Sequence, residues 1–124
     1  MLAYATLGSN RLEKAKAFYD ALMPVIGFEP LMEHGSGGRI YQAKNTMFAI
    51  VGPFDGKPAS AGNGTMIGFL VETRELVDRF HAKLLDLGGA DEGAPGPRGP
   101  EEAGAYMAYG RDLDGNKICS FFFG

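Results

Sequence analysis

Tryptophan is absent from this 124-residue chain, and cysteine occurs once. A single thiol cannot form an internal disulfide, so no disulfide framework holds the fold, and a reducing compartment is the expected setting. No apolar run approaches the ~20 residues that a membrane-spanning helix needs. The opening Met-Leu-Ala-Tyr-Ala lacks both a charged n-region and a continuous apolar h-region, so no secretory leader is expected. Without secretion, the glycosylation acceptor Asn63-Gly64-Thr65 is idle. Excess charge is scarce too: the net charge is −3 and the pI near 5.3. With no basic run along one face, nucleic acid is not an expected partner. A soluble cytoplasmic protein is the expectation.

What is present is ordinary globular material, 45% hydrophobic and 22% charged, in a length that suits one domain with a real core. Leu2–Gly8 suits a first strand. Asn10 followed by Glu13 has the spacing of a capping box, and Leu12, Ala15, Tyr19, Leu22 and Ile26 then mark one apolar helix face. Pro24 should end or kink this helix. Extended segments follow at Phe28–Glu33, Arg39–Ala43 and Met47–Val51, joined by the turn material Gly35-Ser36-Gly37-Gly38 and Lys44-Asn45. Gly52–Gly64 reads as a linker.

The pattern then restarts. Met66–Val71 is a strand, Thr73 can cap a helix bearing Leu76, Val77, Phe80, Leu84 and Leu87 on one face, and Gly88-Gly89 closes it. A shift of about 62 residues overlays the two halves, pairing Tyr4 with Met66, Phe18 with Phe80 and Gly27 with Gly89. Gly93–Gly104, rich in proline and glycine, reads as a long loop. Last comes a hairpin of Tyr106–Tyr109 and Ile118–Phe123 around Asp114-Gly115-Asn116, a strong turn signal. Asp112, Asp114 and Asn116 imitate the start of a calcium loop, but Phe123 stands where a bidentate Glu is required. The stretch is a turn.

The predicted fold is α+β: two βαβββ modules, about 1–54 and 63–124, in a single domain of residues 1–124. Its eight strands form a curved mixed sheet whose concave face makes a cleft.

Leu12–Gly27, Arg111–Ile118 (Arg-Asp-Leu-Asp-Gly-Asn-Lys-Ile) and the middle segment Val77–Pro97 make the chain resemble the vicinal oxygen chelate superfamily. That superfamily includes glyoxalase I, bleomycin-resistance proteins and extradiol dioxygenases. The resemblance implies a divalent metal held by His, Gln or Glu from four inward-facing strand positions. Carried over one at a time, those positions fall on Tyr4, Met66, Cys119 and a site within Ala49–Val51. A phenol, a thioether and a thiol replace the usual hard-metal donors. The expectation is therefore no metal and no cofactor, and no catalytic residue can be assigned.

By strand alternation Tyr4, Thr6 and Gly8 share one face, as do Met66, Gly68 and Leu70, and Cys119 with Phe121 and Phe123. Tyr4, Met66, Cys119 and Phe121 are candidate cleft residues for a flat apolar or aromatic ligand, with Arg39 and Tyr41 at its mouth. His34 is a candidate for the cleft rim and His81 for a half-exposed helix position. Proteins of this kind imply a homodimer. The leading expectation is metal-free small-molecule binding. The alternatives are a lyase or dioxygenase using non-standard ligands such as His34, and a dimer with a filled cleft that serves another protein.

Overall fold

A computed structural model describes residues 1–124. Module 1 holds β1 (Tyr4–Gly8), α1 (Leu12–Leu22), β2 (Glu29–Glu33), β3 (Arg39–Ala43) and β4 (Thr46–Val51). Module 2 repeats the order with β5 (Met66–Leu70), α2 (Arg74–Asp86), β6 (Ala90–Arg98), β7 (Ala105–Arg111) and β8 (Lys117–Phe123). The eight strands divide into two four-stranded sheets, β1-β4-β3-β2 and β5-β8-β7-β6. In each, the module's first strand runs parallel to its last and the other pairs are antiparallel, so both sheets are mixed. This is the α+β fold of two βαβββ repeats.

The helices bury the faces that their spacing marks. In α1 the buried residues are Ala15, Phe18, Tyr19 and Leu22, and in α2 they are Val77, Phe80, His81 and Leu84. Thr73 caps α2 by accepting the Leu76 amide at 3.1 Å. Gly88, at φ +97°, ends α2 in the left-handed region that glycine enters without a Cβ penalty. At Pro24 the first helix tightens into a short 3-10 turn, Met23–Ile26, instead of stopping. The expected Asn10 cap is not formed. The residue before α1 is Arg11, and Asn10 exchanges hydrogen bonds with the backbone of Ala59 at 2.7 and 3.0 Å, tying the linker down.

One aromatic core spans both modules. Phe69 of β5 meets Phe28 at 5.7 Å, Phe48 of β4 at 5.5 Å and Phe80 of α2 at 5.9 Å between ring centroids. Truncating such a ring to alanine costs about 3–5 kcal/mol. The β7–β8 turn is a second tie. Its Asn116 donates to the carbonyl of Gly8 at 2.9 Å, its Asp114 accepts the Asn10 amide at 3.0 Å, and its Asp112 accepts the Tyr19 hydroxyl at 2.5 Å.

The segment read as the long loop Gly93–Gly104 begins with the second part of strand β6, followed by a short 3-10 turn at Glu101–Ala103. It is an edge strand whose register shifts on either side of Gly93, so its prolines need not donate to a neighbour. His81 is buried, not half-exposed, because β6 lies over it and Asp91 stands 3.0 Å from its Nε2.

Candidate functional site

Strand register assigns the two faces of each sheet. The pairs Tyr4–Met47, Thr6–Ala49 and Gly8–Val51 put these residues on one face, while Leu7, Phe48 and Ile50 point the other way into the core. In module 2, Met66, Gly68 and Leu70 pair with Lys117, Cys119 and Phe121, and Tyr109 and Met107 lie opposite Cys119 and Phe121. The outward faces are incompletely covered: Tyr4 is 43% exposed, Met66 41%, Leu70 69% and Phe123 57%.

Tyr4 is shared by two grooves. The larger, about 1310 Å³, lies between β1, the His34–Ser36 turn and the 51–60 linker. The smaller, about 280 Å³, runs between β1, β4 and β5 and is mostly apolar, with Phe28, Met47, Ile67 and Leu70 among its walls. Neither groove is lined by Met66, Cys119 or Phe121. Those three share one face of the second sheet instead, where the Cys119 thiol and the Phe121 ring lean over Gly68, 3.1 and 3.2 Å from where a Cβ would stand. Phe123 extends this surface, its ring 5.3 Å from that of Phe121. The sequence-based group is therefore split, with Tyr4 on one sheet and Met66, Cys119 and Phe121 on the other.

Arg39 and Tyr41 do not reach a cleft mouth. Tyr41 pairs with Phe48 and Arg39 with Ile50, which turns both toward α1. Tyr41 is fully buried and donates to Asp20 at 2.7 Å, and burial followed by that carboxylate pushes its hydroxyl far above the usual tyrosine range. Arg39 bridges Asp20 and Glu33, the latter at 2.7 Å. These two residues join helix to sheet. The two-residue turn Lys44-Asn45 fixes this parity, because Ala43 pairs with Thr46 across it.

The donors at the metal positions do not fit a hard divalent ion. Ala49 has no ligating atom, Met66 offers only a thioether, and burial pushes the Cys119 thiol up to about 11, with Lys117 pulling weakly the other way. No three His, Cys, Asp or Glu side chains gather anywhere in the chain as a metal cage. His34 lines the larger groove with Tyr4, and its Nδ1 lies 2.8 Å from the Ser36 hydroxyl. The Asp112 carboxylate is likewise committed: Oδ1 accepts the amides of Asp114 and Asn116, and Oδ2 accepts Tyr19 and the Asn116 amide group. Protein donors occupy it, as a structural turn requires.

Three residues of the second face went unremarked in the sequence. Tyr109 lies opposite Cys119, and two cations stand over its ring, Arg98 at 5.5 Å and Lys117 at 5.3 Å from the centroid. Alternation two residues back from Cys119 would have found Lys117. Arg98 was hidden by the misread edge strand.

Residues 1–120 match the model of the Glyoxalase/Bleomycin resistance protein/Dioxygenase superfamily. No curated protein matches the chain. Among solved structures, a glyoxalase/bleomycin resistance protein from Albidiferax ferrireducens T118 is 39% identical with a TM-score of 0.89, covering 98% of each chain. A lactoylglutathione lyase from Agrobacterium tumefaciens is 20% identical at TM-score 0.72, covering 98% of this chain and 92% of its own. The fosfomycin resistance protein FosX from Listeria monocytogenes is 18% identical at 0.71, with the same coverage. The last two likenesses speak to the fold alone.

Proposed function

The chain belongs to the Glyoxalase/Bleomycin resistance protein/Dioxygenase superfamily, and from that premise we propose that it binds a small, flat apolar or aromatic molecule without a divalent metal, acting by sequestration or sensing in the cytoplasm. One observation carries the reading. The strand positions that would ligate a metal hold Tyr4, Met66, Cys119 and a residue within Ala49–Val51. The larger groove at Tyr4 is lined chiefly by polar and glycine residues, but the smaller one is mostly apolar, and Met107, Tyr109 and Phe121 stand beside Cys119. Such walls favour burial of a flat hydrophobe with a few orienting polar groups.

A homodimer belongs to this proposal. Tyr4, Met66, Leu70 and Phe123 are exposed on outward sheet faces, and a second copy covering them would turn open faces into an enclosed cleft. Met66, Cys119 and Phe121 then form the ligand's wall on the second sheet, and Tyr4 offers its hydroxyl to the separate groove between β1 and β5. The test is a thermal-shift screen with flat apolar compounds, joined to mass spectrometry of material extracted from the purified protein. A stabilising compound lost in Cys119→Phe, which fills the wall, supports the reading. Indifference to every compound, with no extractable ligand, counts against it.

A lyase or dioxygenase with non-standard ligands is the second reading. Its one foothold is His34, which shares a groove with Tyr4. Stoichiometric divalent metal lost on His34→Ala would favour it.

A further inference from the structure

We propose that Asn63-Gly64 is a self-modifying site, at which the Gly64 amide nitrogen attacks the Asn63 side chain and converts it to aspartate and isoaspartate in the folded protein.

The attacking nitrogen gives up its proton to water, bonds to the side-chain carbon Cγ and expels the side-chain nitrogen as ammonia. A five-membered succinimide results. Water then opens the ring at either carbonyl, leaving aspartate in one case and isoaspartate in the other. Nothing is oxidised or reduced. The step needs an exposed side chain, a free attacking amide and an unhindered following residue.

Asp or Asn precedes glycine three times here, at Asp55-Gly56, Asn63-Gly64 and Asp114-Gly115. In both aspartate pairs the attacking amide is held. Gly56 donates to the carbonyl of Pro53 at 3.0 Å and Gly115 to that of Asp112 at 3.1 Å. Gly64 donates to no backbone carbonyl, because it ends the linker and β5 begins only at Met66. Its φ of +92° is a conformation that glycine reaches freely, and nothing lies within 4 Å of where its Cβ would stand. Asn63 itself is exposed in the turn.

The other three asparagines each lack a requirement. Asn10 is tied through both side-chain atoms to the backbone of Ala59, at 2.7 and 3.0 Å. Asn116 is buried, and its amide group donates to Gly8 and Asp112. Asn45 is exposed, but the β-branched Thr46 follows it, paired with Ala43 as β4 begins. Conversion at Asn63 lowers the net charge by one unit from −3, immediately before the strand that Met66 opens. Asn63 lines neither groove described above, so this chemistry is separate from ligand binding.

The experiment is a time course of the intact, folded protein in mildly acidic and mildly alkaline buffer, followed by ion exchange and by tandem mass spectrometry of its digest. The proposal expects a gain of one mass unit at Asn63, faster in alkali, with a new ion-exchange peak that co-elutes with Asn63→Asp. Isoaspartate and aspartate should both form. Asn63→Gln, whose longer side chain cannot close a five-membered ring, should lose the new peak, and circular dichroism checks that it folds. Equal conversion at Asn10, Asn45 or Asn116 would overturn the structural selection of Asn63. Aspartate without isoaspartate would overturn the ring. No mass gain at Asn63 in the folded protein would overturn the site, and conversion there only in urea would show that the folded turn holds the reacting atoms apart.

Discussion

Tyr19 of α1 donates its hydroxyl hydrogen to Asp112 Oδ2 at 2.5 Å, across 93 residues of sequence and from one module to the other. The contact is buried. Desolvation first, and the neighbouring carboxylate second, push the Tyr19 hydroxyl well above its ordinary range, so it remains a donor at any working pH.

Tyr19→Phe should therefore destabilise the protein by about 1–3 kcal/mol, because a buried carboxylate loses a donor with little change in volume. Urea denaturation of Tyr19→Phe, Asp112→Asn and the double variant measures the coupling. Full additivity of the two single losses would show that the contact does not join the modules.

Acid stability follows from three surface carboxylates. Glu33 is held below its usual range chiefly by Arg39, Glu92 by Arg111, and Asp91 by the Gly93 amide and then His81. A carboxyl depressed on folding adds stability above its unfolded pKa and loses it as pH falls through the folded value. The urea midpoint should hold near neutrality and decline from about pH 5 downward. Arg39→Met and Arg111→Met should make that decline shallower. An unchanged slope in both variants would remove the ion pairs from the account.

The Cys119 thiol, raised to about 11 by burial, should resist alkylation at neutral pH and react faster as the pH approaches that value. Iodoacetamide labelling followed by mass spectrometry measures this. Rapid labelling at neutral pH would mark Cys119 as an activated thiol, against its assignment as a wall residue.

Gly38 separates a packing requirement from turn flexibility. A Cβ there would stand 1.8 Å from the carbonyl oxygen of Ile50, whereas one at Gly35 meets nothing within 4 Å. Gly38→Ala should cost about 3 kcal/mol as β3 is forced from β4, and Gly35→Ala almost nothing. Equal effects in thermal denaturation would contradict the register.

The repeat, both helix faces and the final hairpin were legible because each rests on local periodicity or on turn chemistry. Thr73 caps α2 as its spacing implies, since the Leu76 amide is its near neighbour. Asn10 has equally good spacing but serves Ala59 instead, a partner 49 residues away that no local rule can see. Strand β6 was missed because glycine and proline punctuate it, which an edge strand tolerates. That single omission also hid the burial of His81 and the placement of Arg98. The inward turn of Arg39 and Tyr41 was recoverable by counting across Lys44-Asn45 to Phe48. Which outward faces share a groove was not recoverable, because that depends on how the two sheets sit against their common core.

The central claim is that this superfamily scaffold works without a divalent metal. Elemental analysis of the purified protein, before and after equilibration with zinc, nickel, manganese and iron, tests it most directly. The account predicts well under one metal per chain under every condition, with no change in thermal stability on adding chelator. Near-stoichiometric uptake that disappears in His34→Ala would contradict it and put a metalloenzyme in its place.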